Sequence, residues 1–164
     1  MNLHRFLFAV FWGLTFAAAS PAWAQTTLGA NEPPIFDAAR LGTAAEVEKI
    51  LKADPAMRDA RNQLGATPLH MAATNSDIGP LKALLAAGAD VHARDKDDLT
   101  PLHMAAYADK HKHAQLLLEA GADVEAKSTG GRTPMSLARK SRADQTAGIM
   151  SLWVLKGCKP GKPC

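Results

Sequence analysis

The hexapeptide Thr67-Pro68-Leu69-His70-Met71-Ala72 returns as Thr100-Pro101-Leu102-His103-Met104-Ala105, 33 residues on. A worn copy, Thr133-Pro134-Met135-Ser136-Leu137-Ala138, follows after another 33. A second motif keeps the same period: Leu84-Leu85-Ala86-Ala87-Gly88-Ala89-Asp90-Val91 matches Leu117-Leu118-Glu119-Ala120-Gly121-Ala122-Asp123-Val124. Two motifs at one period define a tandem structural unit. A unit this short cannot bury its own apolar face, so neighbours must stack to share a core.

The residues of the unit carry their own local physics. Pro68, Pro101 and Pro134 suit the first turn of a helix, where a missing N–H costs nothing. The threonine before each proline can cap that helix. His70 and His103 sit one turn in and are expected to bond neighbouring backbone, fixing one repeat on the next. The pairs Ala72-Ala73 and Ala105-Ala106 allow close helix approach. Leu81, Leu84 and Leu85 form an apolar stripe on a second helix, and Leu116, Leu117 and Leu118 fill the equivalent place. Gly88 and Gly121 terminate that helix.

On the period and the Thr-Pro-Leu-His-x-Ala signature, the chain resembles the ankyrin-repeat family. The resemblance is strongest over residues 67–127. It implies an all-α solenoid of stacked helix-turn-helix units with short β-hairpin-like fingers around Asp95 and Ser128. Four repeats are expected across 33–157: residues 33–65, 66–98, 99–131 and 132–157. The first is degenerate, with Ile35, Phe36, Val47, Ile50 and Leu51 aligning at a shift of 34. In the last, Ser136 replaces the motif histidine, and Trp153 is expected to shield the end of the stack. Asp98 stands where the neighbouring fingers have Gly65 and Gly131, a position expected to need a positive φ. Pro80 should open a second helix.

Composition fits a stack of small side chains. Aromatics make up only 5% of the chain, and six of the nine (Phe6, Phe8, Phe11, Trp12, Phe16, Trp23) precede residue 25. That early segment reads as a cleavable secretory signal peptide over residues 1–24. It has Arg5, an apolar run from Phe6 to Ala19, and the small-x-small ending Ala22-Trp23-Ala24. Residues 25–32 read as a short linker. The run is shorter than the roughly 20 apolar residues of a membrane span, so no stable membrane anchor is expected after cleavage. Charge is lopsided: residues 25–126 carry 10 basic and 15 acidic side chains, residues 127–164 carry 8 basic and 1 acidic.

Few residues suggest chemistry. His111 and His113, at i and i+2, would point apart on a helix and read as surface residues, so no metal is expected. Neither a catalytic motif nor a phosphate loop appears; the chain is read as not an enzyme, with no cofactor. Cys158 and Cys164 flank a basic Pro-Gly tail over 158–164. Export would place them where disulfides persist, and an intrachain bridge is favoured; free thiols, an interchain bridge and a redox pair stay open. Lys156, Lys159 and Lys162 lack interleaved aromatics, so no nucleic-acid partner is expected.

The resemblance also implies a protein partner, of unnamed identity, held by the finger tips and the exposed side of each first helix. Carried over position by position, those residues are Gln63, Leu64, Ala66, Thr74 and Asn75 in the second repeat. Lys96, Asp97, Leu99, Tyr107 and Ala108 come from the third, and Thr129, Gly130, Arg132, Arg139 and Lys140 from the fourth. Tyr107 is the leading anchor, since tyrosine is a frequent hot-spot residue. The whole reads as an exported, periplasmic protein-binding module and a monomer. It would serve as an accessory to a stress-defence enzyme such as catalase, with an immunity-type inhibitor of a toxic enzyme, and a small hydrolase or metal-dependent enzyme, as alternatives.

Overall fold

A computed structural model describes residues 32–159. The expected signal peptide, nearly all of the expected linker, and Cys164 lie outside the described residues. Eight α-helices follow in pairs: α1 (Pro34–Leu41) with α2 (Ala44–Ala53), α3 (Pro68–Ala72) with α4 (Gly79–Ala86), α5 (Pro101–Tyr107) with α6 (His111–Glu119), and α7 (Pro134–Lys140) with α8 (Asp144–Leu155). A 3₁₀ turn (Pro55–Asp59) follows α2. First helices stack on first helices, α1 on α3 on α5 on α7, and among second helices α2 packs on α4 and α6 on α8. This is the expected all-α stack. None of the described helices is long and apolar enough to cross a membrane.

The stacking surfaces are made of alanine and leucine. Ala72, Ala73, Ala105, Ala106 and Ala138 are fully buried between first helices. Leu69, Leu81, Leu84, Leu102, Leu117 and Leu118 are buried to the same degree. Alanine brings helix axes close, and leucine fills the space beyond; burying one leucine stabilises by about 1.5–3 kcal/mol. Phe36 is fully buried in the first repeat, and Met150 and Trp153 close the last. Pro80 stands in the first turn of α4, as expected.

Every first helix after α1 begins alike. Thr67, Thr100 and Thr133 hold extended backbone, and a proline follows. Gly88 and Gly121 end the second helices at φ 79° and 105°, the left-handed region that lets the chain turn out of the helix.

The fingers differ from the sequence expectation. No strand occurs among the described residues, so they are tight turns rather than β-hairpins. Each is closed by two backbone bonds: Asn62 N–H to the Ala66 carbonyl (3.0 Å) with Gly65 N–H to the Asn62 carbonyl (2.9 Å), Asp95 to Leu99 (3.1 Å) with Asp98 to Asp95 (3.1 Å), and Ser128 to Arg132 (2.9 Å) with Gly131 to Ser128 (2.8 Å). The arms end there because α3, α5 and α7 start two residues later. Side chains complete the turns. Asn62 Oδ1 accepts from the N–H groups of Leu64 and Ala66, and Asp95 Oδ1 from those of Asp97 and Leu99.

At the finger tips Gly65 has φ 74°, Asp98 φ 58° and Gly131 φ 70°. Asp98 is thus the one left-handed non-glycine of the three. A non-glycine residue pays about 1–2 kcal/mol for that conformation. Asp98 Oδ2 recovers part of it by accepting from Thr129 Oγ1 at 3.3 Å. Asp98→Gly should raise stability by about 0.5–1 kcal/mol. Urea unfolding would check this, and a lower midpoint would show that the Asp98 carboxylate's contacts with Thr129 and Arg94 (3.9 Å) outweigh the strain.

Candidate binding face

The site is built by register. Because the first helices repeat every 33 residues, side chains at that spacing line up in columns across the stack. Gln63, Lys96 and Thr129 form one column; Leu64, Asp97 and Gly130 form the next; Thr74, Tyr107 and Lys140 form a third. Backbone bonds lock the finger columns: Lys96 N–H donates to the Leu64 carbonyl, and Thr129 N–H to that of Asp97, both at 2.9 Å.

Buried histidines set the spacing behind these columns. His70 and His103 are fully buried. Each accepts at Nδ1 from the N–H of its preceding threonine, at 3.1 Å in both repeats. The proton is therefore on Nε2, which donates to the Leu99 carbonyl from His70 and to the Arg132 carbonyl from His103, both at 2.9 Å. Those acceptors lie in the next finger, as the sequence anticipated. Burial lowers the pKa of both imidazoles below the ordinary value, against the smaller opposing pull of the carbonyl each one bonds.

A second set of inter-repeat ties escaped the sequence reading. Arg61 Nη1 donates to the Gly65 carbonyl (2.6 Å) in its own finger and to the Arg94 carbonyl (2.7 Å) in the next. Arg94, 33 residues later, donates likewise to the Lys127 carbonyl at 2.8 Å. The repeated spacing Arg61–Arg94–Lys127 was the available signal. Asp109 Oδ1 accepts from Thr146 Oγ1 (2.8 Å) and Thr146 N–H (3.2 Å), tying the last repeat to the third.

The structure places the fifteen expected contact residues unequally. Gln63, Leu64, Lys96, Asp97, Tyr107, Thr129, Gly130, Arg132, Arg139 and Lys140 are exposed. Leu64 and Tyr107 stand out at 66% and 63% exposure. Thr74, Leu99 and Ala108 are half-buried. Ala66 and Asn75 are buried and cannot meet a partner. Ala66 lies against the base of its finger. Asn75 Nδ2 donates to the Ala39 carbonyl (3.0 Å) and the Gly42 carbonyl (3.2 Å), so it joins the first two repeats.

The expectation for the histidine pair is also corrected. His113 is buried, not on the surface; its Nε2 lies 3.4 Å from the Asp77 carbonyl of the preceding repeat. Burial again lowers its pKa. The helix turns His111 away from that contact. No cluster of three or more potential metal-binding side chains occurs among the described residues. Cys158 is half-buried and is not a free cysteine; its expected partner, Cys164, lies outside the described residues.

The chain matches the ankyrin-repeat family in three copies, across residues 26–128 and 79–149. The protein belongs to the ankyrin-repeat family. Ankyrin repeats mediate protein–protein interaction, which makes this chain a protein-binding module. A stretch of 64 residues is 38% identical to alpha-latrocrustotoxin-Lt1a of Latrodectus tredecimguttatus. That stretch covers 39% of this chain but 4% of the toxin, so the likeness extends over about two repeats. In this ankyrin-repeat protein the exposed residues among the fifteen include four basic side chains (Lys96, Arg132, Arg139, Lys140) against one acid, Asp97. This set therefore exposes two large apolar side chains, Leu64 and Tyr107, among mostly basic ones.

Proposed function

We propose that this ankyrin-repeat protein is exported to the bacterial periplasm and captures a partner protein on its finger-and-first-helix face, acting as an accessory to a stress-defence enzyme such as catalase. The observation that carries the binding reading is the exposure of Leu64 at a finger and of Tyr107 at the end of α5, on a scaffold whose described buried polar side chains are internally bonded. Such apolar and aromatic anchors ringed by polar groups are what protein interfaces concentrate. The basic surround favours a partner with an acidic contact surface. Export is supported by the residue pattern of the first 24 positions, and the Cys158–Cys164 bridge by the oxidising compartment that export implies.

Three measurements test this reading. Cell fractionation with mass measurement of the mature chain should find it in the periplasm beginning at Gln25; an unprocessed cytoplasmic protein would overturn the export. Without reduction, the mature chain should take up no alkylating reagent; uptake of two groups would remove the bridge. Partner capture should fall at least about 10-fold in Tyr107→Ala, the loss of a hot-spot residue, while the melting temperature stays unchanged.

A further inference from the structure

Six large apolar side chains are exposed among the described residues. Leu64 and Tyr107 belong to the binding face. The other four lie at the two ends of the stack: Leu41, 74% exposed, at the first repeat, and Leu152, Val154 and Leu155 in the last turns of α8. A repeat array stays soluble by making its terminal surfaces polar. Among the described residues both ends expose apolar side chains, and the two ends differ in shape and charge.

The first end is concave. An open groove of about 850 Å³ runs along α1 and α2 to the 3₁₀ turn, with Ala38, Leu41, Ile50 and Met57 among its walls. Its charged lining is Asp37, Glu46 and Asp54 against Lys49. The last end is the outward side of α8, which packs on α6 and α7 with its other side. Leu152 and Leu155, at i and i+3, share one side of α8, away from its buried Met150 and Trp153. Their exposures are 52% and 81%. Lys156 and Lys159 follow directly, within a segment, residues 127–164, of eight basic side chains and one acidic.

We propose that the groove of α1 and α2 receives the last turns of α8 from a second copy of this chain, so that copies associate end to end. An i, i+3 apolar pair laid into an apolar groove is the helix-in-groove mode of recognition. The acidic lining of one copy meets the lysines of the other. Pairing like ends would instead set groove against groove or lysine against lysine. The contact is heterologous, so it leaves a free groove at one end and a free helix at the other and continues as an open chain.

Sedimentation velocity of the purified protein over rising concentration tests this. The wild type should pass the mass of a dimer and keep growing, and added salt should weaken the growth. Leu41→Glu and Leu155→Glu should each be monomeric with unchanged helical circular dichroism, since both side chains are exposed. An equimolar mixture of the two variants should form a dimer that grows no further, because one intact groove and one intact α8 remain. A wild type that is monomeric throughout would overturn the proposal. So would a wild-type dimer that stops growing, or a mixture that stays monomeric. Association appearing only when residues 25–31 are deleted would assign the groove to the chain's own N-terminal segment and overturn it equally.

Discussion

Replacing His103 by alanine should lower stability by about 2–4 kcal/mol, because it strands a buried backbone group at about 1–3 kcal/mol and a part-buried one at about 1 kcal/mol. One is the Thr100 N–H, which donates to Nδ1; the other is the Arg132 carbonyl, which accepts from Nε2. The second loss breaks a tie between repeats, so it should also reduce unfolding cooperativity between the third and fourth. The internal control is Ser136, the equivalent position one repeat on. Its side chain is exposed and bonds only the Thr133 carbonyl of its own turn. Ser136→Ala should therefore cost less than about 0.5 kcal/mol, as surface substitutions do. Urea denaturation of both variants checks the contrast, and equal losses would show that the histidine does not couple the repeats.

The same buried imidazoles should make the protein acid-labile in a defined window. His70, His103 and His113 all have folded-state pKa values lowered by burial from 6.5. The unfolded chain then binds protons more readily than the folded one below 6.5. Stability from this source is complete above pH 6.5 and is lost as pH falls from there toward the folded values. Each histidine contributes a slope of at most about 1.4 kcal/mol per pH unit, so the three together give at most about 4. Thermal unfolding should be flat between pH 8 and 7 and drop steeply below 6.5. His103→Ala should be less stable at pH 7.5 yet show a shallower acid limb. A melting temperature constant from pH 7.5 to 5 would contradict the burial of these rings.

How much of this was legible in the sequence follows from which interactions obey the period. The 33-residue spacing exposed the helix pairs, the proline starts, the glycine ends and the left-handed position at Asp98, because each is a local backbone requirement repeated in every unit. The roles of His70 and His103 were legible for the same reason. Asn75, His113 and Asp109 were not. Each ties one repeat to another through a side chain that its neighbours at the same position lack, so no pattern announces it. Ala66 and Asn75 were misplaced on the binding face because a repeat position fixes the column but not the depth at which a short side chain sits. The fingers kept their turns but not their strands, since the N–H groups of Ala66, Leu99 and Arg132, which a ladder would pair with backbone, donate to the side chains of Asn62, Asp95 and Ser128 instead. The apolar groove at the first end depends on how α1 and α2 meet across Gly42, which the spacing of residues does not reveal.

The central claim, that one face of this ankyrin-repeat stack holds a partner protein, is tested most directly by site-specific photocrosslinking in the native cell. A photoreactive amino acid is placed at Tyr107 on the face, or at Gln115, exposed on α6. The account predicts a discrete protein adduct from position 107 and none from position 115. An adduct from 115 alone, or the same adducts from both, would contradict it.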